Sequence, residues 1–114
     1  MDFKKQNPIY LQIADTLCER ILQDEWKEGE RMASVREVAA DMGVNPNTVL
    51  RSFDYLQEKE VIFNRRGVGY FVSDSAKKLI TKLHRTQFLE EEWPAIMHRI
   101  ELLGISVEEL LETK

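Results

Sequence analysis

Three short stretches of the chain combine amide, hydroxyl and guanidinium side chains. They are Ser34-Val35-Arg36-Glu37, residues 45–51 (NPNTVLR) and residues 64–69 (NRRGVG). These groups donate hydrogen bonds to phosphate oxygens and to the edges of bases. No nucleophile arrangement or phosphate-cradling loop occurs anywhere in the sequence. The pattern therefore favours nucleic-acid binding and gives no support to an enzyme.

A helix must position the second stretch. Asn45 is a good N-cap, and Pro46 is tolerated at the first helical position because no hydrogen bond is lost there. The proline therefore starts a helix rather than breaking one. Its predicted inner face contains Val49, Phe53 and Leu56. The residues predicted to project away from that face are Asn47, Thr48, Arg51 and Ser52.

A shorter helix precedes it. Ser34 and Glu37 have the spacing of a capping box, and Gly43 supplies a left-handed exit. The inward-facing residues are predicted to be Val35, Val38, Ala39 and Met42. A short helix, a turn with glycine and a longer helix predict a helix-turn-helix.

Further elements flank this motif. Asn7-Pro8 is predicted to start a first helix in the same way as Asn45-Pro46, and this helix should run to about Asp24. After the helix-turn-helix, the β-prone residues 61–63 and 70–72 bracket a glycine-bearing loop and predict a hairpin, or wing. The fold class is therefore mainly α with a small β-hairpin, an N-terminal winged helix-turn-helix.

At this level of detail the chain resembles a known family. Residues 29–72, GERMASVREVAADMGVNPNTVLRSFDYLQEKEVIFNRRGVGYFV, are similar to the winged helix-turn-helix of the GntR family of bacterial transcription regulators. The similarity extends upstream over residues 8–13, and the short tail most resembles the YtrA-type subfamily. Met32-Ala33-Ser34 stands where the family has Leu-Pro-Ser, and Pro46 stands where many relatives carry an arginine that would touch DNA.

The resemblance implies roles for individual residues. The arginine that matches Arg36 contacts DNA in relatives, and an arginine at the wing tip suits a narrow minor groove. The predicted DNA-binding set is Ser34, Arg36, Asn45, Asn47, Thr48, Arg51, Arg65, Arg66 and Gly67. The alternatives are that Asn45 and Thr48 only cap their helix, that Arg36 pairs with Glu37 or Asp41, and that the wing arginines are merely solvated.

The C-terminal segment is predicted to be helical, with an interruption or kink at Trp93-Pro94 and a capping box starting at Ser106. We assign residues 1–73 to the DNA-binding domain and residues 74–114 to a short helical dimerisation segment. About 40 residues are too few to enclose a ligand pocket and form a core. The candidate contacts with a second subunit are Leu79, Leu83, Phe88, Trp93, Ile96, Ile100 and Leu103.

Composition sets further limits. The net charge is −4, so a nucleic-acid surface must come from the placement of cations and not from their excess. The single cysteine, Cys18, fits a reducing compartment, and the absence of a signal peptide or membrane span predicts a cytoplasmic protein. His84 and His98 lack neighbours at ligand spacing, so we expect no metal and no cofactor.

These observations predict a homodimeric, sequence-specific DNA-binding transcription regulator. The resemblance implies a repressor, and two-fold pairing implies an inverted-repeat operator in double-stranded DNA. Two alternatives remain open. One is a winged-helix module for protein–protein contact, and the other is a small-molecule-responsive sensor, whose effector the sequence does not reveal.

Overall fold

The computed structural model describes residues 7–112 and divides the chain into two compact units, which meet in sequence between Thr81 and Lys82. The elements, in chain order, are α1 (Ile9–Leu22), α2 (Val35–Met42), α3 (Pro46–Glu58), β1 (Ile62–Arg65), β2 (Gly69–Val72), α4 (Ala76–Gln87), a π-helical turn (Phe88–Glu92), α5 (Trp93–Leu103) and α6 (Val107–Glu112). The predicted class, mainly helical with one antiparallel hairpin, is confirmed.

The two helices of the helix-turn-helix begin as predicted. Ser34 caps α2 in a complete capping box, with Ser34 Oγ accepting from the Glu37 N–H at 3.1 Å. The helix ends at Gly43, whose φ of 66° is in the left-handed region. Asn45 Oδ1 accepts from the Asn47 N–H at 2.8 Å, and Pro46 is the first residue of α3. Local sequence therefore determines both boundaries of the turn.

The prediction for the start of α1 was wrong in detail. Pro8 occupies the N-cap position in an extended conformation (φ −53°, ψ 150°), and the Asn7 side chain makes no cap hydrogen bond. The Asn7 backbone carbonyl instead accepts from Gln12 Nε2 at 2.9 Å. The helix also ends at Leu22, two residues before the predicted Asp24, which itself adopts a left-handed φ of 63°.

The hairpin is confirmed, and it has an additional partner. β1 and β2 pair with Arg65 opposite Gly69, so the loop at the tip is shorter than predicted. Arg31 forms a bridge with Phe71, while the Met32 N–H donates to the Tyr70 carbonyl at 3.0 Å. The segment before α2 therefore lies along β2 as a third, very short strand.

The first unit has a continuous apolar core. Phe53 and Leu56 of α3, Leu17 and Ile21 of α1, and Ile80 of α4 are fully buried. α1 and α2 both pack on α3, and burial of this many aliphatic side chains is the main stabilising term in a domain of this size. The core therefore holds α3, the second helix of the helix-turn-helix, between the other elements.

The second unit has a different character. Among its residues in 82–112, the side chains are exposed or half-buried, and none is fully buried. The predicted interruption at Trp93-Pro94 takes the form of the π-helical turn, in which the Trp93 N–H bonds to the Phe88 carbonyl. Pro94 lacks an N–H and its ring crowds the preceding turn, so a locally wider helix accommodates it. The predicted capping box at Ser106 is confirmed, with Ser106 Oγ accepting from the Glu109 N–H at 3.2 Å.

Candidate nucleic-acid interface

The first unit carries all nine residues of the predicted DNA-binding set, and none of them is buried. Ser34 and Thr48 are half-buried, and the other seven are exposed. The structure therefore leaves every predicted contact residue accessible from solvent. Whether they contact DNA remains a prediction.

At the start of α3, one residue caps the helix and its neighbours leave their side chains available for contact. Asn45 uses its Oδ1 to accept from the Asn47 N–H, so its main role is to fix the first turn. The Thr48 N–H donates to the Asn45 carbonyl at 3.0 Å, and the Thr48 hydroxyl takes no part in this hydrogen bond. Asn47 is exposed, and its side-chain amide is free of intramolecular bonds within the described part of the chain. Asn47 and Thr48 therefore present polar groups beside the N-terminus of the helix.

Arg36 lies exposed in the first turn of α2, and both acidic residues proposed as its alternative partners are engaged elsewhere. Glu37 Oε1 accepts from the Ser34 N–H at 3.0 Å, and Asp41 pairs with Arg20 at 3.0 Å. The hydrogen bond from the Ser34 backbone lowers the pKa of Glu37. Within residues 7–112 Arg36 forms no ion pair. Its guanidinium is thus available to an external anion.

Arg51 has an aromatic partner that the sequence analysis missed. Its Cζ lies 4.0 Å from the centroid of the Tyr10 ring in α1, which is a cation–π contact. These two side chains help to line an open depression of about 270 Å³, together with Pro8, Ile9, Asn47 and Thr48. No periodicity in the sequence links Tyr10 to α3, because the contact is made only when α1 packs on α3.

Ser52 does not project away from the core as predicted. It is fully buried, and its Oγ donates to the Tyr10 carbonyl at 2.6 Å and lies 3.2 Å from the Thr48 carbonyl. α1 covers this side of α3 as well as the predicted inner face, and a small hydroxyl fits there because carbonyl oxygens satisfy it. Ser52 therefore joins α3 to the first turn of α1 and does not contact solvent.

The wing presents two arginines in different environments. Arg65 lies within β1, and its Cζ is 5.0 Å from the centroid of the Phe71 ring. Arg66 lies in the exposed loop and has no intramolecular partner among residues 7–112. Gly67 at the tip has a φ of 79°, a conformation that glycine adopts without steric cost.

Arg31 is a second residue that the sequence analysis missed. It is exposed beside β2, and its Nε lies so close to Gly69 that a Cβ there would be 2.8 Å away. It adds a cation at the base of the wing. The only available signal was its position just before the capping box, and no local pattern predicts the bridge to Phe71.

Other kinds of site find no support in the described part of the chain. No group of three or more His, Cys, Asp or Glu side chains there could hold a metal ion. None of the helices in residues 7–112 combines the length and the apolar character needed to cross a membrane. Burial raises the pKa of the Cys18 thiol to about 12, so this thiol stays protonated and unreactive at neutral pH.

Comparison with known proteins identifies the fold and its relatives. Residues 9–72 match the family of bacterial regulatory proteins described as the gntR family. The chain is 34% identical over 110 residues to YhcF of Bacillus subtilis, an uncharacterised HTH-type transcriptional regulator, with 96% of this chain and 89% of that protein covered. It is 30% identical over 112 residues to the HTH-type transcriptional repressor YtrA of the same organism, with 98% and 85% covered.

A solved structure supports the same family as the family match and these two relatives. A GntR-family protein from Bacteroides thetaiotaomicron is 48% identical to this chain and superimposes with a TM-score of 0.75, with 92% of this chain and 91% of the other covered. The winged-helix class predicted from the sequence is therefore confirmed, and the similarity to a GntR-family structure extends beyond the winged helix over nearly the whole chain.

Proposed function

This chain belongs to the GntR family of DNA-binding transcriptional regulators, and we propose that it acts in the cytoplasm as a homodimeric repressor of an inverted-repeat operator. The family and both Bacillus relatives are transcriptional regulators and not enzymes, which agrees with the prediction from the sequence. The repressor role is suggested by the relative YtrA, whose name describes a repressor.

One observation carries the assignment of the DNA surface. Arg36 is exposed in the first turn of α2, while Glu37 and Asp41, the acidic neighbours that would neutralise it, are already bonded to Ser34 and Arg20. Desolvating an ion pair would offset part of the gain from a phosphate contact, and Arg36 has no such pair to break. A free guanidinium in an acidic chain supports contact with DNA.

The other residues then take distinct parts. Asn47 and Arg36 are proposed to read base edges in the major groove, and the N-terminal turn of α3 faces backbone phosphates. Thr48 binds a phosphate or contacts a thymine methyl group. At the wing, Arg66 is proposed to enter the adjacent minor groove, while Arg65 stays close to its strand.

The second unit supports the dimer. Its residues within 82–112 bury no side chain completely, and large apolar groups remain exposed, among them Phe88 (42%), Trp93 (40%) and Leu103 (64%). Exposed apolar surface on this scale favours a protein partner, and a second copy presents the same surface by symmetry. Leu79 packs against the core of the first unit. We therefore place the interface on Leu83, Phe88, Trp93, Ile96, Ile100 and Leu103.

The DNA assignment is tested by selecting bound sequences from a random duplex pool and then measuring affinity for the enriched site. Arg36→Ala should weaken binding by about 1–3 kcal/mol, roughly 5- to 150-fold, and relax the sequence preference at one position. Arg99→Ala removes an exposed arginine of α5 and serves as the matched control, with affinity expected to stay unchanged. Equal effects of the two substitutions would contradict the proposed surface.

The dimer is tested separately by analytical ultracentrifugation. Leu103→Glu and Phe88→Glu place charges on the proposed interface and should shift the protein towards monomer. Leu22→Glu alters an exposed leucine of α1 (38% exposed) and should leave the association state unchanged. A wild-type protein that is monomeric at micromolar concentration, or a selected site that lacks two-fold symmetry, would contradict the dimer without affecting the DNA assignment.

A further inference from the structure

Tyr10 lies at the contact between α1 and α3, directly under a predicted DNA-binding residue. Its ring centroid is 4.0 Å from Arg51 Cζ, while the ring of Tyr55 approaches edge-on at 6.3 Å between centroids. The Tyr10 backbone is held as well, because its carbonyl accepts the 2.6 Å hydrogen bond from buried Ser52. Both the ring and the backbone of Tyr10 are therefore fixed relative to α3.

A fixed ring restrains a long, flexible side chain. An arginine side chain has many rotamers, and part of this conformational freedom is lost on binding unless the side chain is already ordered. The ring of Tyr10 attracts the guanidinium through its negative face and leaves the N–H edges of Arg51 exposed. The contact therefore orders Arg51 without consuming its hydrogen-bond donors.

The direction in which Arg51 is held indicates what it binds. Arg51, Asn47 and Thr48 of α3 share the open depression with Pro8, Ile9 and Tyr10 at the start of α1. The N-terminal turns of both helices meet there, and neither contains an acidic residue. The positive ends of two helix dipoles and the Arg51 guanidinium favour an anion at such a place.

We propose that Tyr10 is a positioning residue for DNA binding, holding the Arg51 guanidinium at the rim of this depression so that Arg51 binds a backbone phosphate of the operator rather than a base. The proposal rests on the proposed DNA-binding function and assigns Arg51 to affinity and not to sequence reading. It also adds the start of α1 to the DNA surface, which the sequence analysis had confined to α2, α3 and the wing.

The experiment measures affinity of the full-length protein for its selected operator at several salt concentrations. Tyr10→Leu should weaken binding about two- to fivefold, the range of an exposed cation–π contact, while Tyr10→Phe keeps the ring and should remain within about twofold of wild type. Arg51→Ala should reduce the slope of log K against log salt by about 0.9, as for one phosphate contact. In the Arg51→Ala background, Tyr10→Leu should cause no further loss.

Several outcomes would overturn the proposal. They are an undiminished effect of Tyr10→Leu in the Arg51→Ala protein, a salt slope unchanged by Arg51→Ala, or a Tyr10→Phe variant as weak as Tyr10→Leu. A loss of base preference at one operator position in Arg51→Ala would also refute the phosphate assignment. Arg99→Ala again serves as the control for an unrelated arginine.

A second measurement does not depend on DNA. Ring-current shielding by Tyr10 should move the NMR signals of the Arg51 δ protons upfield in the free wild-type protein and in Tyr10→Phe, but not in Tyr10→Leu. Unshifted signals in the wild type would refute the contact itself. If the wild-type protein enriches no DNA sequence while the shift is present, the proposed function fails and the geometry of the pair stands.

Discussion

Gly69, the first residue of β2, occupies a position where a single methyl group should be costly. Its φ of 142° is a conformation that residues with a side chain rarely adopt. A Cβ at this position would lie 2.8 Å from Arg31 Nε, 3.4 Å from Nη2 and 3.5 Å from Cζ. Gly69→Ala therefore strains the backbone and also displaces the Arg31 side chain.

The size of the effect follows from these two contributions. Backbone strain of this kind costs about 1–3 kcal/mol. Arg31 is exposed and flexible, so moving its side chain aside adds less, about 0.5–1 kcal/mol. The free energy of unfolding should therefore fall by about 2–4 kcal/mol, and because about 1 kcal/mol shifts the midpoint by several degrees, Tm should fall by roughly 10 °C or more.

Chemical denaturation and calorimetry at one fixed protein concentration measure the change. Gly67→Ala is the matched control, since Gly67 also has a positive φ (79°) but nothing lies within 4 Å of its added Cβ. It should cost only the left-handed penalty, about 1–2 kcal/mol. In an Arg31→Ala background the steric contribution is absent, so Gly69→Ala should cost about 1 kcal/mol less there than in the wild type.

Two results would refute this reasoning. If Gly69→Ala is no more destabilising than Gly67→Ala, the close approach of Arg31 has no energetic consequence. If the loss is the same with and without the Arg31 side chain, the steric contribution is wrong and only backbone strain remains.

Three further outcomes are expected. Ser52→Ala removes the buried hydrogen bond to the Tyr10 carbonyl and should lower the free energy of unfolding by about 1–3 kcal/mol. The measurement is urea denaturation. A change below about 0.5 kcal/mol, on the order of the experimental error, would show that the bond is not stabilising. Ser34→Ala and Asn45→Ala each remove a helix cap and should cost about 1 kcal/mol, measured by thermal denaturation, whereas glycine at the same positions should cost only a few tenths; equal losses for alanine and glycine would contradict a capping role. Burial raises the pKa of Cys18 from 9.0 to about 12. The stability that the protonated thiol contributes is therefore complete below pH 9 and is lost as pH rises towards 12. In this range the free energy of unfolding should fall by about 1.4 kcal/mol per pH unit. Cys18→Ala should therefore flatten the alkaline part of the stability curve, and parallel curves for the two proteins would contradict this.

Local signals predicted the helix-turn-helix because the interactions that define it are local. Ser34 bonds within its own first turn, and Asn45 bonds to a residue two positions away. Asn7-Pro8 has the same letters as Asn45-Pro46 but a different outcome. Pro8 itself is the N-cap residue of α1, and its carbonyl accepts from the Leu11 and Gln12 N–H groups.

The errors at the site came from contacts between distant parts of the chain. Ser52 was placed on the wrong side of α3 because its burial depends on α1. The contact between Tyr10 and Arg51 was not predicted because only packing brings the two side chains together. Arg31 joins the sheet through a single bridge, which has no periodicity to detect. The interruption at Pro94 was predicted from the proline itself, but its form as a π-helical turn was not.

The combination of a net charge of −4 with a few unpaired arginines has a consequence for how such a protein finds its target. Most of a genome offers only the regular phosphate lattice, and an acidic surface gains little from that lattice. In the proposed DNA surface, Arg36 and Arg66 contribute only where the groove shape brings phosphates and bases to both of them. A genome offers on the order of 10⁶–10⁹ competing sites. Specificity for the operator then comes from weak binding to these sites as much as from strong binding to the operator itself. A regulator with this surface is expected to lose fewer copies to such sites than a basic protein with the same affinity for its operator.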